Sequence, residues 1–235
     1  MEPARWERAN TNTEGGKQLY FFFMPNETAS YSIEGLTFPV QIPPKRNDIV
    51  RVAWVADMAM TGNSKRVLDG IRAANVSMVL AGGDLSYADG RTQVCDDWFN
   101  FIQASAPSVP WMPARGNHEA RCVSPQGLGA SNNDCTTDER MYLFRFVRQG
   151  LLYYSFDWGP LRVISLDTEA YHARAASAAG PSPVNTNPGG QQEFVREQLR
   201  NVAGTDVWSV VMFHRPLYSS SRAHRRRPNS TAPLT

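Results

Sequence analysis

From Ile49 onward the chain alternates two textures, and this alternation limits the fold more than any other feature. Short apolar runs (DIVRVAWVAD, VSMVLAGGD, VPWMPARGNHE and DVWSVVMFHRP) are separated by stretches with helical spacing. NSKRVLDGIRAAN predicts a helix with Asn63 as N-cap and Val67, Ile71 and Ala74 on one face. DDWFNFIQAS predicts a short helix burying Trp98, Phe101 and Ile102, and GGQQEFVREQLRNV one with Phe194, Val195, Leu199 and Val202 inward. LLYYSFDWGPLRVISLD predicts a hairpin turned at Trp158-Gly159-Pro160. Strands and helices in alternation mean an α/β sheet with helices on its faces.

Residues 1–47 differ. LYFFFMPNETASYSIEGLTFPVQIPP mixes aromatic and β-branched residues with Pro and Gly turn signals, which predicts short β-strands. Pro43-Pro44 and the polar residues after them read as a linker, so a boundary is placed at 47, with the main domain at 48–235. So short a β-segment buries little core by itself.

Composition excludes some classes. A net charge of +2 provides no global field for nucleic acid. No run of ~18 apolar residues marks a membrane-spanning helix. MEPARWERAN is polar, so no signal peptide is visible. Cys95, Cys122 and Cys135 leave one over under any pairing, and a Cys122–Cys135 link is one option in an oxidising compartment. Asn26, Asn75 and Asn229 head N-x-S/T triplets, which lean weakly toward secretion. Oligomeric state is not readable.

The chemistry lies at the strand ends. Asp57, Asp84, Asn117 and His214 each follow a separate predicted strand. In open α/β sheets that edge is the ligand crevice. Each residue alone is an ordinary turn or cap residue; together they assemble hard oxygen and borderline nitrogen donors, a first-row metal set rather than a thiolate zinc site. Tyr87, three residues beyond Asp84, is more than a turn requires.

The blocks Asp57-Met58-Ala59, Gly83-Asp84-Leu85-Ser86-Tyr87, Gly116-Asn117-His118-Glu119 and Val211-Met212-Phe213-His214 resemble the metallophosphoesterase signature. More narrowly they are similar to purple acid phosphatases, whose motifs run DxG, GDxxY, GNH(D/E), VxxH and GHxH. The resemblance implies a four-layer α/β/β/α sandwich with mixed sheets, preceded here by the last strands of a fibronectin-like domain. It implies an acid phosphatase hydrolysing phosphomonoesters at a dinuclear centre of Fe(III) and a divalent metal (zinc, manganese or iron(II)). Asp57 and Tyr87 would bind the iron, Asp84 would bridge, and Asn117 and His214 would bind the divalent ion. His118 and His224 would contact substrate or protonate the leaving group. A free tyrosine ionises at about 10, so a phenolate ligand needs a strongly polarising cation. Two ions about 3.5–4 Å apart would clamp the phosphoryl oxygens.

Two departures follow. Ala59 stands where the family has Gly, which costs energy if that position takes positive φ. The GHxH block has no counterpart, and His172 in EAYHARA is a loop residue in the wrong context. The expectation is therefore a C-terminally incomplete phosphatase domain, secreted as its family is. The alternative is a catalytically incompetent relic of the fold that binds phosphate or a protein.

Overall fold

The computed structural model describes residues 29–33, 35–89, 91–120, 152–169 and 188–216. His172, His224, Cys122, Cys135, Asn26 and Asn229 lie outside the described residues.

Before the first sheet of the main fold, β1 (Ala29–Ile33) and β2 (Leu36–Val40) form an antiparallel hairpin. Residues 41–51 contain no strand or helix, and Asp48 ties them locally, its carboxylate accepting from the Lys45 N–H at 2.7 Å.

The first of two three-stranded sheets is parallel, in the order β3 (Val52–Val55), β4 (Met78–Ala81), β5 (Trp111–Pro113). Its crossovers carry α1 (Gly62–Ala73) and α2 (Thr92–Ile102). The second sheet is mixed. β6 (Tyr154–Trp158) and β7 (Leu161–Ser165) form the antiparallel hairpin expected around Gly159, and β8 (Trp208–Met212) runs parallel to β7.

Strand periodicity divides the interior in two. On β4, Val79 and Ala81 face α1 and α2, packing with Leu68, Ile71, Trp98 and Ile102. Met78 and Leu80 face the second sheet, packing with Trp158, Val163 and Met212. Met78 and Leu80 are 0% and 1% exposed, so each contributes roughly 1.5–3 kcal/mol of burial. The Tyr154 hydroxyl donates to the Pro113 carbonyl at 2.6 Å, bonding sheet to sheet. The far side of the second sheet is covered by α4 (Pro188–Val202), where Gln198 accepts from Ser155 and Arg162 at 2.8 and 2.7 Å. The layers thus run helix, sheet, sheet, helix, as the resemblance implies. Among the described residues no helix is long and apolar enough to cross a membrane.

Three local expectations need correction. Thr61, not Asn63, caps α1: its hydroxyl accepts from the Ser64 N–H at 3.1 Å and the Ser64 hydroxyl accepts from the Thr61 N–H at 3.3 Å, a reciprocal box. The buried face of α1 is Ser64, Leu68 and Ile71, while Val67 is 44% exposed and Ala74 lies outward. Leu199 on α4 is exposed because the layer below is reached mainly by Gln191, Phe194 and Gln198. The extended run after Val109 ends at Pro113, and Asn117 opens a new short helix, α3 (Asn117–Ala120).

Candidate metal centre

The loops leaving β3 and β4 are bonded to each other. The Asp57 N–H donates to the Gly83 carbonyl at 3.1 Å and the Ala59 N–H to the Leu85 carbonyl at 2.8 Å. Asp57, Ala59, Asp84, Tyr87 and Asp89 all take left-handed backbone, with φ of 53°, 49°, 51°, 56° and 51°. Such strain gathers where a scaffold aims side chains for function. Here it turns Asp57 and Tyr87 toward each other, and the Tyr87 hydroxyl donates to Asp57 Oδ1 at 2.8 Å.

Asp84 is the hub. It is 3% exposed, and its Oδ1 accepts the His118 backbone N–H at 2.9 Å. Its Oδ2 lies 3.4 Å from His214 Nε2 and 3.8 Å from His118 Nε2. His214 Nδ1 lies 2.9 Å from the Gly82 carbonyl, which aims Nε2 at Asp84. Two glycines make this approach possible. A Cβ on Gly116 would stand 2.2 Å from Asp84 Oδ1, and one on Gly83, whose φ is +92°, 2.9 Å from His214 Nδ1.

Asp57, Asp84 and His214 each offer a ligand atom within 4.8 Å of the others. With the phenol of Tyr87 this donor set fits a hard or borderline first-row cation. The carbonyl bond on the second nitrogen of His214 is the outer contact that metal-ligating imidazoles usually make. Asn117 sits between Gly116 and His118, both of which reach Asp84, so its backbone borders the same crevice.

Electrostatics point the same way. Burial raises the Tyr87 phenol, and its bond to Asp57 and the carboxylates of Asp57, Asp84 and Glu119 raise it further, so the proton stays unless a cation replaces it. Burial alone would push His214 down. The bond and charge of Asp84, with the Gly82 carbonyl, more than reverse this and hold it at about 9. Burial pushes Asp84 up, but His214 and the His118 N–H bring it below the usual carboxylate range.

Two residues of this site had not been singled out from sequence. Glu119 is buried, and its carboxylate accepts backbone N–H groups of Asp84 and Leu85 at 2.8 Å each and of Gly116 at 2.9 Å. It therefore splices the loop after β4 to the loop after β5, and burial pushes its carboxyl up. The signal was the acidic position closing Gly116-Asn117-His118-Glu119. Asp89 lies 2.6 Å from His118 Nδ1, while the His118 ring packs on Tyr87 with centroids 4.2 Å apart. No spacing in the sequence marks that pair.

Comparison with known proteins bears on the family and the fold. A family model described as calcineurin-like phosphoesterase matches residues 50–234. Purple acid phosphatase 21 of Arabidopsis thaliana is 28% identical over 94% of this chain and 51% of its own length. Purple acid phosphatase 18 of the same plant is 27% identical over 82% of this chain and 40% of its own length. A purple acid phosphatase from yellow lupin (Lupinus luteus) seeds shares the fold with a TM-score of 0.53 at 23% identity, over 76% of this chain and 32% of that one. The chain thus spans about half, or less, of the length of these relatives.

Proposed function

Since the chain belongs to the calcineurin-like phosphoesterase family, we propose that it carries phosphomonoester hydrolysis of the purple acid phosphatase kind. The observation that carries this reading is the meeting of Asp57, Asp84 and His214 within 4.8 Å, with the Tyr87 phenol 2.8 Å from Asp57.

On this reading Asp57 and Tyr87 would hold Fe(III), Asn117 and His214 would hold a divalent ion, and Asp84 would serve both. When bound, the ions supply Lewis-acid polarisation of the phosphoryl group. The protein's own residues do the rest. Tyr87 would have to release its proton to bind; the phenol now donates its hydrogen bond to Asp57 Oδ1 at 2.8 Å, and since Asp57 would be a ligand too, that proton would leave to solvent. Asp89 fixes the His118 ring through Nδ1, leaving Nε2 on the crevice side to hold a proton against a developing charge on the substrate. His224 is proposed as the second such group from the resemblance alone. Secretion is part of the same reading; Asn75, the described acceptor triplet, is exposed.

Iron-loaded protein should show a tyrosinate–iron(III) absorption band and hydrolyse an aryl phosphate, with Asp84→Ala inactive. Iron bound at the site without the band removes the assignment of Tyr87. Metal uptake without hydrolysis would assign this chain a binding role instead.

A further inference from the structure

The two segments that meet at Asp84 are both gripped by one short turn. Arg115, immediately before Gly116, directs its guanidinium at Asp167, with Nε 3.1 Å from Oδ1 and Nη2 2.8 Å from Oδ2. Arg115 is 3% exposed and Asp167 1%. Arg215, immediately after His214, makes the matching fork to Glu169, at 2.6 and 2.7 Å, and its N–H donates to the Thr168 hydroxyl at 3.1 Å. The turn itself is anchored from behind. The Asp167 N–H donates to Gln191 Oε1 at 2.6 Å, and Gln191 Nε2 donates to the Asp167 carbonyl at 3.0 Å.

Stability is a poor explanation for the buried fork. Desolvating an arginine and an aspartate offsets most of their attraction, and apolar side chains of similar volume fill such a site as well. What an apolar pair lacks is the fixed direction of two parallel N–H···O bonds. Direction matters here because the clearance is small. A Cβ on Gly83 would meet Gly116 N at 2.8 Å and His214 Nδ1 at 2.9 Å, so the two segments close on Gly83 with no room for a methyl group. A slip between the sheets would part His214 from Asp84.

We propose that Arg115, Asp167, Glu169 and Arg215 are positioning residues, a double clamp that sets the spacing between the Gly116–His118 segment and His214 across the candidate metal centre. The inference rests on the metal reading for its purpose, but the clamp itself is testable without metal.

The test uses the full 235-residue chain. Arg115→Met/Asp167→Leu should melt at or above the wild-type temperature, yet bind zinc roughly tenfold more weakly or worse by calorimetry, as when other outer-shell partners are lost. Arg215→Lys keeps the charge but loses the fork, and should weaken zinc binding in the same direction. In metal-free protein the imidazole NMR signals of His214 should move in both variants. Unchanged zinc affinity together with unmoved His214 signals overturns the clamp. Should wild type bind no more zinc than Asp84→Ala, the metal reading fails, and the His214 signals alone decide the clamp. If the double variant does not fold, Arg215→Lys decides it.

Discussion

Tyr87 donates its phenolic hydrogen bond to Asp57 at 2.8 Å, joining residues that belong to the loops after two different strands. Both residues adopt left-handed backbone to do so. The pair places a phenol and a carboxylate side by side beside a buried second carboxylate, Asp84.

Tyr87→Phe should separate ligation from folding. Asp57 is exposed, so water replaces the lost donor and the unfolding free energy should change by no more than about 1 kcal/mol. The visible band of the iron-loaded protein should vanish entirely. Urea unfolding and an absorption spectrum read the two effects apart.

Ala59→Gly should stabilise the protein. Ala59 has φ 49°, where a side chain costs roughly 1–2 kcal/mol, partly offset by the greater freedom of glycine in the unfolded chain. The net expectation is a gain of about 1 kcal/mol in urea unfolding. A loss would mean that the strain at this position is relieved in another way.

Glu119→Gln should be costly despite its near-identical shape. The carboxylate accepts three backbone N–H groups, through Oε1 from Leu85 and Oε2 from Asp84 and Gly116. An amide must turn its NH2 against at least one of them, leaving a buried donor unpaired at about 1–3 kcal/mol. Chemical denaturation measures it, and a change below about 1 kcal/mol would show that Glu119 does not splice the loops.

Asp89→Ala should leave the fold intact and lower the turnover of an aryl phosphate tenfold or more, within the ~10²–10⁴ range that a positioned acid or base contributes. KM should move less than kcat, since the His118 ring loses its Nδ1 partner rather than its place beside Tyr87. Equal turnover in mutant and wild type would remove Asp89 from the mechanism.

The metal-free protein should show a pH window. His214 is raised from 6.5 to about 9, so its contribution to stability is complete below pH 6.5 and disappears as pH climbs through 9. Asp84 is depressed below 3.8, so its contribution is complete above that value and is lost as pH falls through its folded pKa. Thermal melts should plateau between these limits, and Asp84→Asn should remove the alkaline slope. A metal must displace the His214 proton, so uptake near neutral pH should release protons, which calorimetry in buffers of different ionisation enthalpy detects.

Much of this was legible along the chain because its causes are local. Short apolar runs marked β3, β4 and β8, and the residues just past them, Asp57, Asp84 and His214, follow the C-terminal ends of strands that have parallel neighbours, two in the first sheet and one in the second. Helix phase was harder to read. Thr61 and Asn63 are both competent caps; the reciprocal bonds between Thr61 and Ser64 mark Thr61 as the cap, and Leu68 rather than Val67 faces the core.

The sequence by itself determined the alternating α/β plan, the hairpin at Gly159 and the donors that arrive at the strand ends. Only the tertiary structure decided how those donors are held: Glu119 across two loops, Asp89 behind His118, and the forks of Arg115 to Asp167 and Arg215 to Glu169. The physical reason is range. Periodicity and turn chemistry act between near neighbours, whereas a buried charge takes its partner from whichever segment the packed sheets bring beside it, such as Asp167 for Arg115, 52 residues away.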